Sequence, residues 1–403
     1  MELIYNNFDA MDITFQGIMP IDILEQLAEG RERAQNEKRA VLVKLGDNEL
    51  PVMVSETGAK GGYRYRFDTG LDGETWFIAH SSNSKNWNIR VSVKSLALSL
   101  YGYEGCIARI NARMVEFRAS GASRRDPKLC AQNASKCEDD ACNACITTLP
   151  LERISRVDYC FDFVMPADFE PDPKHFIAHQ RAKKHVYGTE AQNYTALNGD
   201  VVNTIRIGEM PGRQAVIYNK TKELKASFKD YMWEIWDIDP KPFKEGFKQI
   251  WRVEIRAGKD ELDKWGLKRF KDFEEKIGDV LKAILKAIRY TIPLKDDLNR
   301  SRWPMHPIWE EALNTAFKAL EPYSTNALRE NILKDYRGNV INGYKERLIG
   351  NAIGLTAAEG RDISELNIVL EELQDEIIEL ANNDINSLIK KHEKAEERFK
   401  YLN

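Results

Sequence analysis

The chain has 403 residues, of which 43% are hydrophobic and 30% charged, with a formal net charge of −4. That length accommodates two or three domains with sizeable cores. The acidic balance excludes a uniformly basic nucleic-acid-binding protein and leaves only local basic patches for such a role. No apolar run approaches the length that crosses a bilayer. Met1-Glu2-Leu3-Ile4-Tyr5 lacks the basic start and apolar stretch of a signal peptide. The expectation is a soluble cytoplasmic protein with no membrane partner.

In chain order, residues 1–20 read as a strand, with Ile13 and Phe15 alternating against polar neighbours, and residues 21–38 as a helix with Ile21, Leu24 and Leu27 on one face. Strand signals recur at Val41-Leu42-Val43, Tyr63 to Phe67, Trp76-Phe77-Ile78 and Asn88 to Val93, punctuated by Gly61-Gly62 and Asp72-Gly73. A helix carrying Leu96, Leu98 and Leu100 follows. A second section repeats this layout: a strand at 154–164, a helix at about 174–186, strands at 203–208 and 214–219 around Pro211-Gly212, a helix at about 221–236, and a strand at 250–257. Two strand–helix–strand sections suggest an internally duplicated α+β domain built on an antiparallel sheet. Beyond residue 258 the pattern turns helical. Ile363, Leu366, Leu370, Leu373, Ile377 and Leu380 form a short heptad seam, better suited to a helical hairpin than to a long coiled coil. The expected organisation is an α+β domain over 1–258, with a polar Cys-rich insertion at about 120–148, followed by a helical C-terminal region over 259–403.

Four of the six cysteines cluster as Cys130, Cys137, Cys142 and Cys145. In a reducing compartment such a cluster reads as a metal site before it reads as disulfides, and four thiolates suit a structural Zn²⁺. Only the Cys142–Cys145 step has knuckle spacing, so free surface thiols are the alternative.

The chemistry concentrates in the second section. On the strand from Arg156 to Phe163, Asp158 and Asp162 share the polar face, and on the strand from Trp251 to Arg256 that face carries Arg252, Glu254 and Arg256. Between them lies Ile217-Tyr218-Asn219-Lys220-Thr221-Lys222. One exposed sheet face could then present Asp158, Asp162, Glu254 and Tyr218. Carboxylates suit Mg²⁺ or Mn²⁺, and such an ion polarises a phosphodiester. A tyrosine is a poor nucleophile near neutral pH and needs the positive potential that Lys220, Lys222, Arg252 and Arg256 supply. Alternating charged and apolar residues are also what any half-buried strand shows, and periodicity alone favours that plain reading.

The motifs together resemble the Rep_trans family of rolling-circle replication initiators and related conjugative relaxases. The resemblance covers about residues 150–260. It rests on Arg156-Val157-Asp158 with Asp162, Thr204-Ile205-Arg206-Ile207-Gly208, Ile217-Tyr218-Asn219-Lys220 with Glu223, and Arg252-Val253-Glu254. It implies a Tyr218 nucleophile that forms a 5′-phosphotyrosine at an origin nick, assisted by Lys220 and Arg256, with Asp158, Asp162 and Glu254 as metal ligands. It implies as partners single-stranded or melted origin DNA and a host helicase, while a homodimer through the heptad seam is the lesser alternative to the hairpin and the oligomeric state stays open. A relaxase of conjugative transfer would use the same chemistry, and a non-catalytic DNA-binding regulator could keep the fold. DNA contacts are expected from Lys174, Arg181, Lys183 and Lys184 on the 174–186 helix, and from Arg206, Lys222 and Arg252. Trp233, Trp236 and Trp251 are candidates for stacking on bases or for the core. His-x-His relaxase chemistry is absent from the sequence.

Overall fold

A computed structural model describes residues 1–46, 48–70, 72–121, 124–125, 145–146, 150–178, 193–198, 201–227, 229, 231–297, 299–324 and 329–399. Long alternating runs make the strands. β1 (Glu2–Gln16) leads into α1 (Ile21–Glu37), then β2 (Val41–Leu45), β3 (Leu50–Val54), β4 (Tyr63–Asp68), β5 (Thr75–Ala79), β6 (Ile89–Val93) and α2 (Ser95–Glu116). The second section begins with β7 (Leu151–Pro166) and β8 (Phe176–Ala178). It continues through β9 (Asn193–Asn198), β10 (Val201–Gly208), β11 (Arg213–Asn219), α3 (Lys220–Ser227), α4 (Met232–Trp236), α5 (Lys241–Lys244) and β12 (Lys248–Gly258). After it come α6 (Lys259–Lys264), α7 (Phe270–Ala287), β13 (Ile288–Tyr290) and α8 (Pro307–Ala319).

Eleven strands form one sheet in the order β9-β10-β11-β12-β7-β1-β6-β5-β4-β3-β2. The fold is α+β, and its duplication is visible in this order. Reading outward from the centre, each half starts with its first strand (β1 or β7), continues with its last (β6 or β12), and then steps back through its hairpins. Every named pairing in the sheet is antiparallel.

The alternation sends Val157, Tyr159, Phe161 and Phe163 to one face of β7, and Val253 and Ile255 to the same face of β12, all buried. Helices α2 and α7 cover that face, joined by the stacked rings of Tyr103 and Phe273 at 4.2 Å. Phe8 packs edge-on to Tyr159 at 5.1 Å. Burying each such side chain contributes about 1.5–3 kcal/mol, so this layer anchors the strands that carry the opposite, polar face. Gly208, with φ of +90°, turns β10 into β11; a Cβ there would lie 2.3 Å from the Arg213 carbonyl oxygen.

Two expectations change. The helix expected at about 174–186 is not what Pro173–Ala178 forms. Asp172 caps a single 3₁₀ turn by accepting from the Lys174 amide at 2.8 Å, and Phe176–Ala178 then pairs with Ile288–Tyr290. Burial of Phe176 against Tyr290 and Trp309 overrides the local helical pattern. The rest of that segment, with Arg181, Lys183 and Lys184, lies outside the described residues. The helix expected at 221–236 is the two short helices α3 and α4.

The chain divides into two compact units, one of Met1–Asp263 with Leu267–Thr325, the other of Lys264–Gly266 with Asn326–Asn403. Residues 267–325 therefore pack in the same unit as the sheet, whereas the sequence pattern suggested a boundary at 258. The second unit contains α9 (Arg329–Ala358), α10 (Leu366–Asn383) and α11 (Ile385–Phe399), with α9 packed on α10. No helix among the described residues is long and apolar enough to cross a membrane.

Candidate active site on the polar face of the sheet

The registers place the candidate residues in three successive rows. Tyr218 on β11 lies opposite Arg252 on β12, which lies opposite Asp162 on β7. In the next row Glu254 lies opposite Cys160, and two rows along Arg256 lies opposite Asp158. This face is not exposed as expected. Asp158, Asp162, Arg252 and Glu254 are all buried, and Tyr218 is half-buried.

The first row is an ion-pair network. Arg252 holds Asp162 in a bidentate pair, Nε to Oδ1 at 2.6 Å and Nη2 to Oδ2 at 2.7 Å. Its Nη1 donates to Asp9 at 2.6 Å. The Trp236 indole donates to Asp162 Oδ2 at 2.9 Å. Asp9 reaches the row from the irregularity in the β1–β7 register between Phe8 and Ala10. The indole arrives because α4 packs Met232, Trp233 and Trp236 with Leu224, Phe243 and Ile250 in a small core. One expectation is corrected here. Arg252, 0% exposed, is a buried ion-pair partner and not a DNA contact. Asp162 has both oxygens bonded, to Arg252 and to the Trp236 indole. The tryptophans offered as base-stacking candidates, Trp233, Trp236 and Trp251, are core residues.

The next two rows carry the carboxylates Glu254 and Asp158. Arg256 Nε donates to Glu254 at 2.6 Å and stands 3.7 Å from Asp158 Oδ2. Its Nη1 donates to Gln214 at 3.0 Å. Arg156 forms a two-pronged bond to Asp158, Nε to Oδ1 at 2.9 Å. Burial pushes the Asp158 carboxyl up to about 7, with Glu254 adding to the rise and Arg156 opposing it. Two buried carboxylates thus lie on one face beside Arg256. That is the environment a divalent cation relieves.

At the mouth of the face, β11 ends and α3 begins. Lys220 is 2% exposed, with its Nζ 2.6 Å from Glu223 Oε2 and 5.6 Å from the centre of the Tyr218 ring. Lys229 holds the other Glu223 oxygen at 2.8 Å. Against the burial that would raise it, these two lysines bring Glu223 down to about 2. Burial pushes the Tyr218 phenol well above its ordinary 10; Glu254, Asp9 and Asp162 add to this and Arg252 opposes it. The resting phenol is therefore neutral. Asn219 supports the strand end by accepting from the Lys222 amide at 3.0 Å and donating to Gln249 at 2.6 Å.

Among the described residues, no group of three or more His, Cys, Asp or Glu is arranged to hold a metal. The pair of Asp158 and Glu254 nevertheless has the donor chemistry for Mg²⁺ or Mn²⁺, which commonly take one or two protein carboxylates and fill the remaining positions with water and phosphate. Of the other expected contacts, Lys222 is exposed and bonds Asn203 at 2.6 Å, Lys174 is exposed, and Arg206 is half-buried on β10 opposite Val216. Cys130, Cys137 and Cys142 lie outside the described residues, and Cys145 is described only as backbone in the strand Cys145–Ile146. Sequence reasoning missed Asp9 and Trp236. Asp9 sits in a strand with no motif, and Trp236 was read as a base-stacking candidate or core.

No family model matches the chain. No curated protein matches it. Among solved structures, the chain is similar to the rolling circle replication initiator protein from Geobacillus stearothermophilus, with 13% identity over 77% of this chain and 96% of that chain and a TM-score of 0.36.

Proposed function

We propose that the chain is a DNA nicking and joining protein that starts rolling-circle replication by attack of Tyr218 on one strand at an origin. The observation that carries this reading is the placement of a half-buried tyrosine, with a lysine 5.6 Å from its ring centre, one row from the buried Glu254 and two from the buried Asp158. In the proposed step, the Tyr218 oxygen forms a bond to phosphorus and the bond from phosphorus to the 3′ oxygen breaks. The phenol proton passes to solvent, the strand end leaves as a free 3′ hydroxyl, and the 5′ phosphate stays on Tyr218. Attack of a hydroxyl on that ester reseals the strand without a nucleotide cofactor.

The residues divide the work. Asp158 and Glu254 would hold Mg²⁺ or Mn²⁺, which when bound offsets the charge that builds on the phosphoryl oxygens. Lys220 places positive charge beside the phenol and favours its ionised form as the reaction proceeds. Arg256 orients Glu254 and faces the same phosphoryl charge. The Arg252, Asp162, Asp9 and Trp236 network keeps β7, β12 and the α4 cap in register, so that the reacting groups do not reorganise. A conjugative relaxase would share this chemistry.

The test is nicking of supercoiled plasmid carrying the cognate origin, with Mg²⁺ or Mn²⁺ and with EDTA. The reading expects a nick that requires the metal and a protein-linked 5′ end. Nicking of equal rate in EDTA would remove the metal from the proposal.

A further inference from the structure

The polar face does not stop at the candidate site. It continues across the sheet centre into the first half, where no reaction is assigned. Asp12 on β1 lies opposite Arg156 on β7 and pairs with Arg90 on β6 at 2.9 Å. Arg90 lies opposite Phe77 on β5, just as Arg252 lies opposite Tyr218 in the matching strand pair of the second half. Phe77 has no hydroxyl, and beside it the first half has no second carboxylate equivalent to Glu254.

Phe77 is also the wrong residue for a solvated strand face. It is half-buried on the side opposite the core residues Trp76 and Ile78. Arg90 lies over its ring at 4.9 Å and Arg66 at 5.9 Å, and Tyr63 meets its edge at 6.3 Å. The side chains of Arg66, Arg90 and Arg156 remain 42%, 32% and 34% exposed. Asp12, Asp68 and Asp158 offset part of this charge. An apolar ring flanked by partly exposed guanidinium planes on a sheet face is the chemistry that stacks nucleobases and holds the backbone of a single strand.

Resting on the nicking role proposed above, we propose that the first half of the sheet is a non-cleaving track for the single DNA strand that enters the Tyr218 site. A base stacks at Phe77, while Arg66, Arg90 and Arg156 face the phosphates leading to Asp158 and Glu254. From β11 to β4 there are six strand intervals. At about 4.8 Å each, they span roughly 29 Å, the scale of a short single-stranded site. Duplex DNA does not fit this mode, because its bases are already stacked.

The experiment uses the full chain with Tyr218→Phe, so that no cleavage is needed, and fluorescein-labelled dT20 in an anisotropy titration. Phe77→Ala should weaken dT20 binding about tenfold, the scale of one lost base stack, and Phe77→Tyr should restore it. Arg66→Ala should lower the salt dependence of binding. Photo-cross-linking of dT20 carrying 5-iododeoxyuridine should map to the peptide containing Phe77, a readout that does not depend on stability. Unchanged dT20 affinity in both Phe77→Ala and Arg66→Ala, with cross-links elsewhere, overturns the track even if the Tyr218-bearing chain nicks origin plasmid. Loss of stacking in a chain that never nicks supports the track and removes the nicking role.

Discussion

Replacing Asp162 with Asn separates the ion-pair network from the proposed metal-binding carboxylates. The substitution keeps the volume but removes the charge facing Arg252, which is 1% exposed at its side chain. It also turns one carboxylate oxygen into an NH₂ group that faces either a guanidinium or the Trp236 indole, two donors with nothing to accept. Breaking a buried ion pair from one side costs about 3–5 kcal/mol. Asp9 stays on Nη1 of Arg252 and softens the loss, so the lower end, about 3 kcal/mol, is the expectation. At roughly 2–4 °C per kcal/mol, the melting midpoint should fall by about 6–12 °C. Urea unfolding followed by tryptophan fluorescence reads the same loss, because Trp236 reports on the broken bond. Below its transition, Asp162→Asn should still nick in a metal-dependent way. A variant as stable as the parent but without metal-dependent nicking would refute this reasoning and place Asp162 in the set of metal ligands.

Other outcomes follow from the same geometry. Glu254→Gln should abolish nicking while leaving dT20 affinity within about twofold, because the ligand charge goes and the volume stays; equal nicking by the variant would exclude Glu254 as a ligand. The raised Asp158 carboxyl is protonated in the folded state and ionised in the unfolded chain between its ordinary value near 3.8 and about 7. Its contribution to stability is therefore full below that window and is lost as pH rises through about 7. Asp158→Asn should flatten the fall in urea midpoint between pH 5 and pH 8, and an unchanged fall would contradict the assignment. Because burial holds the Tyr218 phenol well above 10, Tyr218→Phe should leave the phenolate absorbance rise below pH 11 unchanged. If the cysteine cluster holds zinc, the purified chain should carry about one Zn²⁺, and Cys142→Ser with Cys145→Ser should remove it; metal-free protein of normal stability would favour free thiols.

Alternation made the strands and the polar face legible in the sequence, since Asp158, Asp162, Glu254 and Arg252 need only a two-residue period to share a side. The burial of that face was not legible. It depends on α4, whose Met232, Trp233 and Trp236 sit in a short stretch that reads as the end of a longer helix. It also depends on Asp9, which is brought across 243 positions of sequence to Arg252 by the β1–β7 pairing. The difference in partners, Arg252 and Trp236 for Asp162 against Arg156 and Arg256 for Asp158, therefore appears only once the strands are in register. The 174–186 helix failed for a related reason: pairing of Phe176–Ala178 with Ile288–Tyr290 is a tertiary contact that no local period encodes. The duplication was visible as a repeated order of elements, while the counterpart positions of Phe77 and Tyr218 needed the sheet order.

The measurement that bears most directly on the central claim is the covalent adduct between the protein and nicked origin DNA in Mg²⁺ or Mn²⁺, followed by denaturing gel and peptide mapping. Tyr218→Phe removes a single oxygen from a half-buried ring, so the fold should persist while both nick and adduct vanish. Phe variants of Tyr159, Tyr187 and Tyr194 should still cleave and should still carry DNA on the peptide containing Tyr218. Wild-type nicking by Tyr218→Phe, or an adduct mapped to another tyrosine, would contradict the account.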